Sequence, residues 1–280
     1  MTQAHATAAR WRAMVLAEHA QSDRARGPTP PPSDFWQARA GFFRQDPRRP
    51  DDLMVDRIAR ELRPGWTLLD VGAGAGRYAL PLALRCRHVT AVEPSPAMGE
   101  GFRAVAAEAG IANVSLVQAT WEEASVPPAD VVLCSNVLYT VRDAEPFVRK
   151  LDRHAREKVL VIVHTEAPLY FTAPLWKAVH GEERLRLPAL KELLELLWEM
   201  DCYPDVEMLP VLPRRGWESW EAAKQQLIGA LFITPGSPQE ARLEAAMREL
   251  LVESDGRLTV RGSQPGRPAL VSWRPGVEAS

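Results

Sequence analysis

Leu68-Leu69-Asp70-Val71-Gly72-Ala73-Gly74-Ala75-Gly76-Arg77-Tyr78-Ala79-Leu80-Pro81-Leu82-Ala83 begins as an apolar run, passes through three alternate glycines and leaves them in a helical pattern. A strand that turns through glycines into a helix brings bare backbone close to whatever sits above the turn. The first N–H groups of the helix supply a polar rim. Asp70 stands two residues before the first glycine, at the carboxyl end of the strand, where α/β sheets place their ligands. The spacing is GxGxG. A glycine or alanine at position 77 would complete a dinucleotide fingerprint, and Arg77 stands there instead.

Outward from this segment the chain alternates. Thr67 to Val71 and His88 to Val92 read as strands with a helix over Arg77 to Arg85 between them. A helix over Ala97 to Ala109 follows, then strands at Val114 to Gln118 and Asp130 to Leu133, a helix over Asp143 to His154 and a strand at Lys158 to His164. Short apolar strands separated by helices predict a parallel, doubly wound sheet. Upstream, a helix to about Arg24 precedes the stiff connector Gly27-Pro-Thr-Pro-Pro-Pro-Ser33, and helices over Phe35 to Arg44 and Asp51 to Leu62 lead into the sheet. Beyond Glu166 the alternation breaks into helical stretches at Pro174 to Val179 and Pro188 to Glu199. A strand at Asp205 to Leu209, helices over Trp217 to Phe232 and Pro238 to Ser254, and strand-like Arg257 to Arg261 and Ala269 to Trp273 complete the chain. This divides it into an N-terminal helical cap with the Pro-rich connector over 1–50 and a main domain over 51–280. A helical insertion at about 166–204 lies within that domain, and the last two strands are expected to complete the sheet.

The 280 residues carry a formal net charge of -2, with 46% apolar and 25% charged side chains. That composition suits a globular protein and gives no chain-wide electrostatic reason to bind a polyanion, so nucleic acid is a poor default partner. Arginines between Arg44 and Arg63 alternate with acids, as on a solvated helix face. Cys86, Cys134 and Cys202 are scattered, with no spacing that would build a metal site, and fit a reducing compartment. No apolar run reaches the ~18–20 residues of a membrane span, and a cytoplasmic, non-membrane location is expected.

Glu93 closes the second strand, where a carboxylate can accept both hydroxyls of a ribose. With that acid placed, the segments LLDVGAGAGRYALPLA, VTAVEPSPAM, VSLVQATWEEA and ADVVLCSNVLYTV resemble class I S-adenosylmethionine-dependent methyltransferases over about residues 50 to 165. The resemblance implies a Rossmann-like, seven-stranded, mostly parallel sheet with one antiparallel member and helices on both faces. It implies S-adenosylmethionine as cofactor and S-adenosylhomocysteine as product. It places the methionine part over Asp70, Gly72, Ala73, Gly74 and Gly76, ribose at Glu93 and Pro94, and adenine beside Thr120 and Trp121. Many members have an acid where this chain has Thr120. Ser135 and Asn136 fall near the cofactor, and Leu138 and Tyr139 toward the acceptor.

The activated methyl group leaves the protein mainly with alignment and desolvation. Where the acceptor is a hydroxyl a base helps, and His164 and Glu166 at the end of the fifth strand are the candidates; Tyr139 is the catalytic candidate for orienting the nucleophile. Aromatic residues Phe35, Trp36, Phe42 and Phe43 before the core, and Tyr170, Phe171 and Trp176 after it, are candidate walls of an apolar pocket for a small or moderately sized organic acceptor. Trp217, Trp220 and Trp273 are assigned to packing. The competing readings are a cofactor-binding sensor or interaction protein without turnover, and a nicotinamide-dependent oxidoreductase, which Arg77 disfavours. Residues Ser135 to Tyr139 lack the Asn/Asp-Pro-Pro-aromatic motif of nucleic-acid methyltransferases.

Overall fold

The computed structural model describes residues 6–28, 34, 36–37, 40–210, 216–254, 256–263 and 266–276, with Phe42 described by its backbone alone. The connector expected at Gly27 to Ser33 lies outside these from residue 29 onward. The strands are β1 (Thr67–Val71), β2 (His88–Val92), β3 (Val114–Val117), β4 (Ala129–Ser135), β5 (Ala155–His164), β6 (Asp205–Met208), β7 (Leu251–Ser254), β8 (Arg257–Val260) and β9 (Pro268–Trp273). The α-helices are α1 (Ala6–Arg26), α2 (Leu53–Ala59), α3 (Ala79–Ala83), α4 (Pro96–Glu108), α5 (Ala144–His154), α6 (Ala173–His180), α7 (Leu190–Glu199), α8 (Trp220–Ala230) and α9 (Pro238–Leu250).

Seven strands form one sheet in the order β3-β2-β1-β4-β5-β9-β6. The chain is a Rossmann-like α/β protein. Strands β1 to β5 pair in parallel, and β9 runs antiparallel between β5 and β6. Because β2 lies on one side of β1 and β4 on the other, the sheet order switches beside β1, opening a crevice at the carboxyl ends of these strands. Both faces are buried, which is why the central strands are nearly continuous apolar runs. On one face Leu69, Val132, Val161 and Val271 pack with Trp11, Leu151 and Leu193 of α1, α5 and α7. On the other Leu68, Leu133, Leu160 and Leu270 pack with Ile58, Leu80 and Phe102 of α2, α3 and α4.

Helix α1 is built into the first of these cores. Trp11 and Val15 are fully buried, the Trp11 indole donates to the Val141 carbonyl at 2.8 Å, and the Thr7 N–H and hydroxyl donate to Glu199.

One expectation requires correction. The segment read as helix up to Ser254 stops at Leu250, and residues 251–254 form β7. This strand pairs antiparallel with β8 in a separate two-stranded sheet, turning through Gly256 at φ +71°. The strand at Arg257 to Arg261 therefore takes no part in the main sheet. The stretch at about 166–204 is helical, consistent with an insertion after β5, and its two α-helices pack into different clusters. Helix α7 lies against α1 and the sheet, whereas α6 joins α8, α9, β7 and β8 in a third apolar cluster around Leu175, Trp176, Leu227, Leu243, Met247 and Val260. The result is a small lobe after β5. No described helix is long and apolar enough to cross a membrane.

Candidate active site

Gly72, Gly74 and Gly76 all adopt positive φ, +75°, +55° and +88°. A methyl at Gly72 would lie 2.3 Å from Val137, and one at Gly76 would press on Leu80 and Phe102, so these two glycines are needed for packing beneath the turn. A methyl at Gly74 would meet nothing within 4 Å. Its Cα side is the open face of the loop. The Gly72 and Ala73 N–H groups donate to the Val92 carbonyl, tying the turn to the end of β2.

Two carboxylates lie beneath this face. Asp70 is 2% exposed, and burial, then the Glu93 charge, pushes its carboxyl up to about 7 against a hydrogen bond from the Ala79 N–H. Glu93 is 5% exposed and is raised by burial. Its two oxygens accept the Gly74 and Ser95 N–H groups, each at 2.8 Å, and each oxygen keeps a further lone pair. Pro94 is exposed, and its carbonyl, like that of Glu93, accepts from Gln118 Nε2 at 3.3 Å.

Asp34, upstream of the core, reaches this corner. Its carboxylate accepts the Ser95 hydroxyl at 2.8 Å and the Ala97 N–H at 3.0 Å at the start of α4. Burial works against that charge, but the hydrogen bonds from Ala97, Ser95 and Trp36 prevail and hold its carboxyl below the ordinary value. Ala40 packs on Ala75 and Met98, while Trp36 and Phe43 meet edge to face at 5.5 Å and stay partly exposed. Neither Asp34 nor Gln118 is among the site residues expected from the sequence.

After β3 the chain makes a turn from Thr120 to Ala124. The exposed Thr120 hydroxyl donates to Glu123 at 2.9 Å. The Trp121 indole is 3% exposed, packs edge-on against Phe147 and His154, and donates to the Phe147 carbonyl at 3.3 Å. Its ring is therefore in the core, not free to stack on a ligand. Lys150 of α5 donates to the carbonyls of Trp121, Glu122 and Ala124 at 2.5, 3.1 and 2.8 Å.

At the end of β4, Asn136 is exposed and adopts φ +59°, with its N–H on the Ile162 carbonyl and its Nδ2 donating to the Ser135 hydroxyl at 3.2 Å. The chain then folds Tyr139 back over β5. The Tyr139 hydroxyl lies 3.2 Å from Asn136 Oδ1 and 3.1 Å from His164 Nδ1, and accepts the His164 N–H at 2.7 Å. Burial raises the Tyr139 phenol and lowers the His164 imidazole. The two catalytic candidates thus meet, whereas Glu166 is taken up by Arg186 at 2.9 Å. Cys134 is fully buried and its thiol is raised by burial, then by Asp70, which leaves it inert.

Of the candidate pocket aromatics, Trp176 lies in the core of the small lobe and Phe171 packs against that core. Tyr170 stands beside Arg186, whose guanidinium lies 4.8 Å from the ring centre. Phe35 and the side chain of Phe42 lie outside the described residues. Among the described residues no group of three or more His, Cys, Asp or Glu is placed to hold a metal ion.

Residues 69–163, which span β1 to nearly the end of β5, match the family model of a methyltransferase domain. The chain carries a class I S-adenosylmethionine-dependent methyltransferase domain. It is 31% identical over 163 residues to a probable ribosomal RNA small subunit methyltransferase A of Pyrobaculum aerophilum, covering 58% of this chain and 62% of that one. It is 33% identical over 99 residues to a ubiquinone biosynthesis O-methyltransferase of Rickettsia conorii, covering 35% of this chain and 34% of that one. The chain thus spans less than two thirds of the length of either relative. A putative methyltransferase from an antibiotic biosynthesis pathway of Anabaena variabilis shares the fold, with TM-score 0.55 and 20% identity, over 82% of this chain and all of that one.

The methyltransferase domain's own donor set fits its cofactor. Two nearly buried carboxylates, Asp70 raised by burial and by the Glu93 charge and Glu93 raised by burial and by the Asp34 charge, would be relieved by the positive charge that S-adenosylmethionine brings. Glu93 retains lone pairs for ribose hydroxyls, and Gly74 leaves open space above the turn.

Proposed function

We propose that the protein is an S-adenosylmethionine-dependent methyltransferase acting on a small organic acceptor. The observation that carries this reading is the gathering of the Gly74 face, Glu93, Asn136, Tyr139 and His164 at the carboxyl ends of neighbouring strands β1, β2, β4 and β5. When bound, S-adenosylmethionine supplies the activated methyl group. Glu93 and Pro94 would hold the ribose end, the Thr120 and Trp121 backbone would border adenine, and Asp70, Gly72, Ala73, Gly74, Gly76 and Ser135 would surround the methionine end. The protein's part is to fix this orientation and exclude water.

An open groove of about 420 Å³ lies outside the residues assigned to the cofactor. Met14, Ala17, Tyr170 and Leu185 line it with Arg184 and Arg186, and Arg186 is anchored to Glu166, two residues beyond His164. An RNA acceptor is favoured by the similarity to a ribosomal RNA methyltransferase. Against it, the arginines of the 44–63 stretch are largely engaged: Arg44 with Glu108, Arg49 with Asp52 and Arg57 with Glu61 and Glu207.

Calorimetry with S-adenosylmethionine, S-adenosylhomocysteine and NADH tests the cofactor. Binding of the first two alone supports the proposal, and binding of neither sinks it. Glu93→Gln is expected to weaken S-adenosylhomocysteine roughly tenfold, the scale of one charge-assisted hydrogen bond. Turnover with a panel of small acceptors separates an enzyme from a sensor, and steeply salt-dependent RNA binding would replace the small acceptor with RNA.

A further inference from the structure

The Tyr139 hydroxyl has three partners with different capacities. The His164 main-chain N–H, at 2.7 Å, only donates. Asn136 Oδ1, at 3.2 Å, only accepts, and its amide is oriented with Nδ2 donating to the Ser135 hydroxyl. His164 Nδ1, at 3.1 Å, takes either role. A phenol has one proton and two lone pairs. All three contacts become hydrogen bonds in one arrangement alone: the phenol donates to Asn136 Oδ1 and accepts from both the His164 main chain and Nδ1–H. The ring proton then sits on Nδ1, which leaves Nε2 with its lone pair.

We propose that Tyr139 is a positioning residue that, with Asn136, holds His164 in the Nδ1–H tautomer, so that Nε2 serves as the base for an acceptor hydroxyl. No described residue hydrogen-bonds Nε2, and His164 is at the end of β5, beside β4, whose loop carries Asn136. The balance of the step is complete. The hydroxyl oxygen's lone pair forms the new bond to the methyl carbon, the carbon–sulfur pair returns to sulfur, and the O–H proton passes to Nε2 and later to solvent. A base whose orientation is set by a second group through its other nitrogen is the usual way to keep such a lone pair aimed outward. The acceptor's chemistry rests on the methyltransferase reading, but the tautomer does not.

The test is nitrogen-15 NMR of the imidazole in the cofactor-free full chain at pH 8, with the His164 signals assigned through His164→Gln. The parent is expected to show a protonated Nδ1 and a bare Nε2. Tyr139→Phe and Asn136→Gly, the latter keeping the positive φ without strain, are each expected to shift the ring toward the Nε2–H form. A parent already in the Nε2–H form would overturn the tautomer and mean that the Asn136 amide is turned. An unchanged tautomer in both variants would overturn the role of Tyr139. For the hydroxyl, phenol titrated into the parent is expected to move the Nε2 resonance, and anisole, which has no O–H, is not. No shift with phenol, or equal shifts with both, would overturn the hydroxyl assignment. Failure to bind S-adenosylmethionine in calorimetry would sink the activity while leaving the tautomer result intact.

Discussion

The segment 67–164 and the lobe formed by residues 173–180 and 217–260 both bury apolar clusters, yet they are built on different terms. In the first, a side chain's neighbours are set by strand register, so Asp70, Glu93 and Asn136 come together at the carboxyl ends of adjacent strands. That segment also holds the part matched by the methyltransferase family model. The lobe has no such edge. Its helices close around Trp176 and Leu227, and its hairpin β7–β8 is linked to the preceding loop by reciprocal main-chain hydrogen bonds between Trp217 and Leu258. Polar groups concentrate at the sheet's edge, and apolar closure dominates the lobe.

The largest effect expected to sharpen this division comes from Trp176→Ala. Emptying the centre of the lobe should cost roughly 3–5 kcal/mol of stability in chemical denaturation. Affinity for S-adenosylhomocysteine should stay within about twofold, since that change is only ~0.4 kcal/mol. A large loss of affinity with the fold retained would break the division. Gly74→Val should do the reverse. The position faces open space, so the fold should survive with a backbone penalty of roughly 1–2 kcal/mol for the left-handed conformation. Cofactor affinity in calorimetry should fall about 100-fold, equivalent to ~2.7 kcal/mol. An unfolded Gly74→Val protein would mean that the loop is as tightly packed as the lobe.

Asp70→Asn tests the same contrast through pH. Its folded carboxyl is raised to about 7 from an ordinary 3.8, so the folded state holds a proton that the unfolded chain has released between those values. Its contribution to stability therefore falls as pH rises from about 4 to about 7 and is level above that. In the cofactor-free protein, the stability difference between Asp70→Asn and parent should grow across that window by roughly 4 kcal/mol and then flatten. A flat difference would show that Asp70 is not strained by burial.

The sheet was legible because parallel strands covered on both faces read as short apolar runs, and His88 to Val92 carries the same bounds in both descriptions. The glycine turn and its two acids were legible because their spacing is local. The β7–β8 hairpin was not, since Leu250, Leu251 and Val252 extend the apolar pattern of α9 and outweigh the turn signal of Asp255-Gly256. Asp34 escaped because its partners lie 61 and 63 residues away, and nothing in a Pro-rich stretch announces such a contact. The Trp121 indole shows a different limit, for its position in sequence places the turn but not the direction of the ring.

Lys150 gives the turn from Thr120 to Ala124 an unusual character. One ammonium satisfies three carbonyls of the turn, those of Trp121, Glu122 and Ala124, and also lies 4.6 Å from the centre of the Trp121 ring. Such a turn has already surrendered its conformational freedom during folding, so closing around a ligand exacts little further entropy there.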